Sequence, residues 1–189
     1  MELSNLNIKN GLCISLGSNL DSKFGNPINS LIESKCRIEK IINNLIHLHN
    51  SDDLEKNILK NIFNWSSLYQ TSPLGVDIKQ PDYINCLLLA KGDLLPPSSI
   101  EKARFLLKEF QNLEKEFGRN KVLEEQEWLP RPLDIDILWW DDLNINEKDF
   151  KLPHPRFKNR NFVISPLAEV LSLTQKIEKL NVKNWIINN

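Results

Sequence analysis

Two carboxylates stand two residues apart in an apolar stretch of the sequence. Asp134 and Asp136 alternate there with leucine and isoleucine residues, a pattern that predicts a buried β-strand. Because side chains alternate across a strand, both carboxylates would share one face, roughly 6–7 Å apart. Unpaired, they would repel each other, whereas a hard cation such as Mg²⁺ prefers carboxylate oxygens and often shares its shell with substrate phosphates. The spacing therefore predicts a Mg²⁺ site, with a solvated polar strand face as the alternative.

Arginines are concentrated around these carboxylates. Four of the six arginines of the chain lie within residues 119–160. Guanidinium groups make planar, bidentate contacts with phosphate, so the clustering indicates an anion site, although surface salt bridges would also explain it. His154 stands between two prolines, which stiffen the backbone and could hold a ring nitrogen toward a phosphate. His47 and His49 lie in a polar segment and are interpreted as surface residues.

Flat and amide side chains accompany these charges. Trp128 could stack on a heterocycle or pack in the core. Tyr83 and Asn85 would share one strand face, and a buried asparagine needs a partner, which a heterocycle edge or the backbone would supply. The Gly17–Asn19 segment is interpreted as ordinary turn chemistry after a strand. Together these residues indicate metal-dependent chemistry on a phosphorylated ligand and leave the acceptor open.

The overall composition argues against several classes of protein. The sequence contains neither a P-loop nor a Gly-x-Gly-x-x-Gly motif. A net charge of −1 provides no basic field for nucleic acid or a membrane surface, and no apolar run approaches a membrane span. The three cysteines, Cys13, Cys36 and Cys86, are interpreted as buried thiols in a reducing compartment. These features predict a cytoplasmic protein.

Hydrophobic periodicity predicts the elements that position the candidate residues. Strands are expected over residues 11–17, 65–71, 83–91 and 133–139, and helices over 27–46 and 98–117. Ser98 and Glu101 have capping-box spacing, and a further short helix is expected after Pro166. Residues 47–64 are interpreted as an insertion in a single domain that covers residues 1–189. The order β-α-β-β-α-β predicts an α+β, ferredoxin-like antiparallel sheet with helices packed on it and a C-terminal extension.

Six segments in order along nearly the whole chain carry a family resemblance. They are SLGSNL (15–20), YQTSPLG (69–75), QPDYIN (80–85), QNLEKEFGR (111–119), WLPRPLDIDIL (128–138) and LPHPRFKNRNFVISPLAE (152–169). Their combination resembles the 6-hydroxymethyl-7,8-dihydropterin pyrophosphokinase family of folate biosynthesis. The resemblance implies Mg²⁺-dependent, in-line transfer of diphosphate from ATP to the pterin hydroxymethyl group, with release of AMP. It implies ATP and the pterin as small-molecule partners, and we expect a monomer that binds neither nucleic acid nor membrane.

The resemblance also implies roles for individual residues. Asp134 and Asp136 would bind two Mg²⁺ ions and would be catalytic together with Arg119 and Arg131. The residues that would bind ATP are Gln111, Arg119, Lys121, Arg131, Ile137, His154 and Arg160. The residues that would form the pterin pocket are Thr71, Ser72, Leu74, Tyr83, Asn85, Glu114, Trp128 and Phe162. The pterin ring would stack between the two aromatic residues Trp128 and Phe162.

One loop departs from the family pattern. The segment between Arg119 and Trp128 contains Glu124, Glu125 and Glu127, where the family often has basic side chains. Acidic groups near ATP phosphates would oppose binding unless they point into solvent. This departure favours a second hypothesis, a catalytically weakened relative that binds pterin or nucleotide. A third is a ferredoxin-like interaction domain whose acidic strand binds no metal.

Overall fold

A computed structural model describes residues 11–49, 62–73, 79–119, 129–171 and 185–187. The strands are β1 (Leu12–Ser18), β2 (Phe63–Trp65), β3 (Leu68–Thr71), β4 (Tyr83–Ala90), β5 (Asp134–Trp140), β6 (Ile145–Asn146), β7 (Lys151–Leu152) and β8 (Trp185–Ile187). The helices are α1 (Pro27–His49), α2 (Ile100–Glu116) and α3 (Asn161–Val170), with a 3₁₀ turn at Phe157–Asn159. No helix within the described ranges is long and apolar enough to span a membrane.

The main sheet is antiparallel and has the strand order β5-β1-β4-β3-β8, with β2 pairing β4 beside β3. Its two faces carry separate apolar clusters because side chains alternate along each strand. On one face, the main core packs residues such as Ile14, Ile84 and Ile137 with residues of α1 and α2. On the other, α3 packs Val163 and Leu167 against side chains from β1, β4 and β5. The predicted α+β antiparallel fold is confirmed.

A β-bulge lies in the strand that carries the two aspartates. Ile14 of β1 is opposite Ile137, but the preceding Cys13 is opposite Trp139, so Leu138 is an extra residue in β5. Before the bulge, Asp134 and Asp136 share the face opposite Ile135 and Ile137, as predicted. After the bulge, Trp139 joins the α3-side cluster and Trp140 the main core.

Three local predictions were wrong. The predicted strand 65–71 is split between β2 and β3, because the Ser66 hydroxyl accepts the Leu87 N–H (2.9 Å) in the ladder and shifts the register by one residue. The N-cap of α2 is Ser99, whose hydroxyl accepts the Lys102 N–H at 3.2 Å, and not Ser98. Helix α3 contains Pro166 internally instead of starting after it, because burial of its apolar side against the sheet offsets the lost hydrogen bond.

Surface and buried assignments were only partly correct. Cys13 and Cys86 are buried, and burial raises the pKa of the Cys86 thiol to about 12. Cys36 is exposed, contrary to the prediction, because it lies on the solvent side of α1. His47 and His49 are exposed, as predicted. Helix α1 extends into the predicted insertion, of which residues 50–61 lie outside the described residues.

Candidate active site

We call the sheet face that α3 covers in part the site face. On this face, one residue from each of four strands forms a row across the sheet. Tyr69 of β3 is opposite Asn85 of β4, Asn85 is opposite Gly17 of β1, and Gly17 is opposite Asp134 of β5. Directly opposite residues of antiparallel strands project on the same face. The row therefore brings an amide, a glycine and a carboxylate onto one surface from three distant parts of the sequence.

Asp134 lies between two arginines. Arg119 Nη1 contacts one carboxylate oxygen, and Arg131 Nη1 lies 3.3 Å from the other. Burial raises the pKa of the Asp134 carboxyl, but the positive charges of Arg131 and Arg119 more than offset that effect and lower it overall. Asp134 is therefore ionised at neutral pH.

Asp136 has weaker cationic support. Its Oδ2 lies 3.7 Å from Arg160 Nη1 and 4.0 Å from His154 Nε2. Burial and the neighbouring negative charge of Asp134 raise the pKa of the Asp136 carboxyl, and Arg160 only partly offsets this. The pair therefore carries excess negative charge that an added cation would stabilise.

The donor set of this pair fits Mg²⁺. Two carboxylates on one face supply hard oxygen donors, and the Asp136 side chain is 37% exposed and so accessible from solvent. Within the described ranges, no group of three or more His, Cys, Asp or Glu side chains is arranged to hold a metal. Mg²⁺ commonly binds through one or two carboxylates and completes its shell with water and substrate phosphates, so two carboxylates are sufficient.

His154 is held as a neutral donor. The lowered pKa of its imidazole, about 4, is caused first by burial and then by the charges of Arg160 and Arg156. Its Nδ1 accepts the Arg156 N–H at 3.2 Å, and the backbone N–H of His154 donates to the Leu138 carbonyl at 2.7 Å. In a neutral imidazole one nitrogen accepts and the other donates, so the proton is assigned to Nε2, the atom that faces Asp136.

Glu114 positions Arg119. Its Oε1 accepts from Arg119 Nη1 at 2.8 Å and from the Ile135 N–H at 2.9 Å, and its side chain is 3% exposed. It therefore lies against the outer edge of β5, two strands away from Asn85. These two contacts place the Glu114 carboxylate beside Arg119 and the Ile135 N–H, on the Asp134 side of the row.

Three further pterin-pocket candidates, Thr71, Tyr83 and Asn85, lie on β3 and β4, and the Tyr83 side chain also interacts with Arg131 of the charged group. The amide of buried Asn85 donates to Thr71 Oγ1 at 2.8 Å, and Thr71 is opposite Tyr83 on the same face. Ser72 follows β3 and is exposed. Phe162 is partly buried in the first turn of α3, with the Arg160 guanidinium 5.4 Å from its ring centroid.

Other predicted residues have different placements. Ile137 packs in the main core on the face opposite Asp136, so its side chain does not join the nucleotide candidates, and only its backbone is available there. Gln111 is partly exposed on α2. Leu74, Lys121, Trp128 and the acidic segment 124–127 lie outside the described residues.

Sequence reasoning missed Asn19 as a structural link. Asn19 is 2% exposed; its side chain accepts the Arg131 N–H at 2.8 Å and donates to Gln80 Oε1 at 3.0 Å and to the Pro81 carbonyl at 3.2 Å. It thus joins the segment before β4 to the segment before β5. Its turn composition gave no sign of partners more than 60 residues away.

Glu169 fixes the other end of α3. Its carboxylate accepts from the Ser67 N–H (3.0 and 3.1 Å), the Ser67 hydroxyl (2.8 Å) and the Tyr69 hydroxyl (2.8 Å). Burial, and secondarily the Glu169 hydrogen bond and charge, raise the pKa of Tyr69 far above its usual range. These contacts hold the helix that carries Phe162 against β3.

Comparison with known proteins gives consistent matches. The family model described as 7,8-dihydro-6-hydroxymethylpterin-pyrophosphokinase (HPPK) matches residues 13–172. The chain is similar to two proteins named 2-amino-4-hydroxy-6-hydroxymethyldihydropteridine pyrophosphokinase. The one from Bacillus subtilis is 37% identical over 60% of this chain and 60% of the relative. The one from Haemophilus influenzae is 33% identical over 84% of this chain and 80% of the relative. A Synechocystis protein of the same name is 34% identical over 56% of this chain. The chain spans 60% and 48% of the lengths of the Bacillus and Synechocystis relatives.

Proposed function

The chain belongs to the 7,8-dihydro-6-hydroxymethylpterin-pyrophosphokinase family, and we propose that it transfers diphosphate from ATP to 6-hydroxymethyl-7,8-dihydropterin in folate biosynthesis. The observation that carries this proposal is the row on the site face. Two carboxylates with three arginines near them lie at one end, and a neutral amide group lies at the other. The charged end suits a metal-bound triphosphate and the neutral end suits a heterocycle edge.

In the proposed reaction the hydroxymethyl oxygen attacks the β-phosphorus of ATP. The bond from the β-phosphorus to the oxygen bridging the α-phosphorus breaks, AMP leaves with that oxygen, and the hydroxyl proton is released to water. Asp134 and Asp136 would hold two Mg²⁺ ions, which when bound neutralise phosphate charge and orient the attacking and leaving oxygens. Arg119, Arg131 and Arg160 would add positive charge where negative charge develops.

The described side chains can orient both substrates. Arg131 is well placed for phosphate because Asn19 fixes its backbone and Arg131 Nε donates to the Leu129 carbonyl at 3.0 Å, which defines the plane of its guanidinium. His154 would donate its Nε2 proton to a phosphate oxygen as a neutral group. Asn85, Thr71 and Tyr83 would contact the pterin, and Phe162 would stack on it.

The remaining assignments stay predictions. We propose Gln111 and Lys121 on the nucleotide and Ser72, Leu74 and Trp128 in the pterin pocket, where Trp128 would cover the ring face opposite Phe162. We also propose that the protein acts as a cytoplasmic monomer, with ATP and pterin as its partners.

The identity of the nucleotide product tests the proposal. Purified protein incubated with ATP, Mg²⁺ and 6-hydroxymethyl-7,8-dihydropterin should release AMP in an amount equal to the pterin diphosphate, and chelation of Mg²⁺ should stop the release. Pterin binding without AMP release would favour the weakened relative. Binding of neither ligand would favour the interaction domain.

A further inference from the structure

Gly17 occupies a position where its backbone does not require glycine. It lies inside β1 and is paired on both sides, with Asn85 and with Asp134. Its φ angle is not positive, so an alanine could adopt the same backbone conformation. Glycine in a strand interior weakens the strand, and it often marks a place where a ligand or another backbone approaches closely. The space left by the missing side chain, and not the backbone conformation, therefore explains the glycine at this position.

Among the described residues, the space above Gly17 has close neighbours on one side only. A Cβ built there would lie 3.0 Å from Asn85 Oδ1 and 3.8 Å from Tyr83 Cδ1. Chain neighbours apart, no other heavy atom of the described residues lies within 4 Å of it. Among the described residues, the missing side chain thus leaves a gap beside the Asn85 amide, at a position that also pairs with Asp134.

The gap has the dimensions that the proposed reaction needs. Neighbouring strands lie about 4.8 Å apart, so the Asn85 and Asp134 positions are separated by about 10 Å, with Gly17 midway. A fused two-ring heterocycle held at its edge by Asn85 has to cross Gly17 for its one-carbon arm to reach the carboxylates. A methyl group at Gly17 would press on the Asn85 amide and stand in that path.

We infer that Gly17 is a specificity-determining residue, whose missing side chain admits the flat heterocycle between the Asn85 amide and the Asp134 carboxylate. This inference rests on the proposed function, because it assigns the heterocycle to the Asn85 end of the row. Gly17 would contribute to acceptor binding by leaving room for the heterocycle and not by a polar side chain. It also explains why the N-terminal strand contributes to the site without a polar side chain at this position.

Gly17→Ala tests the inference by adding one methyl group. Pterin KM should rise about tenfold or more, because the methyl overlaps the acceptor site and displaces Asn85 Oδ1. ATP KM should stay within about twofold, since the charged groups are one strand away. The melting temperature should change by only about a few degrees, because the lower entropy of the unfolded chain opposes the cost of the small shift that the methyl requires of Asn85. A residue with a purely structural role would not combine weaker pterin binding with unchanged stability.

Two further variants complete the test. In a background of Asn85→Ser, which makes room beside Gly17, adding Gly17→Ala should raise pterin KM by a smaller factor than it does alone. Ser15→Ala is the matched control, because it lies two residues earlier on the same strand and face and is 7% exposed. Its pterin KM should stay near that of the unmodified protein.

Several outcomes would overturn the inference. A Gly17→Ala protein with unchanged pterin KM would show that the space is not used. A variant that melts at a lower temperature and weakens for both ligands equally would make Gly17 a structural residue. If the unmodified protein releases no AMP, the proposed function fails, whereas an active protein that is insensitive to Gly17→Ala overturns only this inference.

Discussion

The two ends of the site-face row differ in how they are built. At the acidic end, Asp134 and Asp136 are charged side chains surrounded by arginines from three separate segments. At the amide end, Asn85 and Thr71 are neutral side chains that hydrogen-bond to each other from adjacent strands. The acidic end therefore depends on charge balance across loops, and the amide end on shape and register within the sheet.

This difference suggests a division of labour. Charged groups are most effective where charge develops during the reaction, so the acidic end should control the rate. Neutral hydrogen bonds and a cleared surface discriminate between ligands, so the amide end should control acceptor affinity. Substitutions at the two ends should then change different kinetic parameters.

The largest effect should come from Asp136→Asn. The change keeps the size of the side chain but removes the charge that we propose binds Mg²⁺, so kcat for AMP release should fall about a thousandfold. Thermal unfolding should be little affected, because Asp136 is partly exposed and close cations lie 3.7 Å or more away. Asp93→Asn, on the exposed surface, is the control. A near-normal rate in Asp136→Asn would remove the metal assignment.

The next effect concerns stability at the acidic end. Arg119→Met should lower the free energy of unfolding by about 3 kcal/mol, because it removes the positive charge that lies 2.8 Å from the buried Glu114 carboxylate. Denaturant unfolding measures this, and Lys108→Met, on the exposed side of α2, is the matched control. An unchanged unfolding midpoint would mean that Arg119 is not needed to balance Glu114 and Asp134.

At the amide end, Asn85→Ala should mainly weaken acceptor binding. Loss of the amide should raise pterin KM by roughly tenfold to a hundredfold, the range for one or two lost hydrogen bonds to a ligand. ATP KM should hardly change. Asn44→Ala on the exposed side of α1 controls for the loss of an amide as such. Equal losses for both substrates would contradict the separation of the two ends.

The smallest effect is expected from Tyr69→Phe. It removes one hydrogen bond to Glu169 (2.8 Å) and should cost about 1 kcal/mol of stability while leaving both KM values near normal. Denaturant unfolding measures the change in stability, and the steady-state assay measures both KM values. A large change in pterin KM would instead show that the contact between Tyr69 and Glu169, which holds α3 against β3, affects acceptor binding.

Local patterning predicted the acidic strand and the order of the elements. Alternation placed Asp134 and Asp136 on one face, and helical periodicity predicted α1 and α2 to within a few residues. These features depend on neighbours in sequence, so the sequence contains them. The bulge at Leu138 depends on how β1 and β5 meet and has no local signal.

Features that depend on distant partners were not predictable in the same way. Asn19 was interpreted as a turn residue, but its role comes from partners at Gln80, Pro81 and Arg131. Glu114 accepts an N–H of β5 that only the assembled sheet places beside it, and its assignment to the pterin pocket stays a prediction. Gly17 shows the same limit, because its open surface exists only once β4 and β5 lie beside it.

The most direct test of the division of labour measures kcat and pterin KM together for Asp136→Asn and Asn85→Ala at saturating ATP and Mg²⁺. We expect a crossed pattern: Asp136→Asn should lower kcat with pterin KM near normal, and Asn85→Ala should raise pterin KM with a much smaller change in kcat. If both variants changed the same parameter by similar factors, the two ends would not be separate and the account would be contradicted.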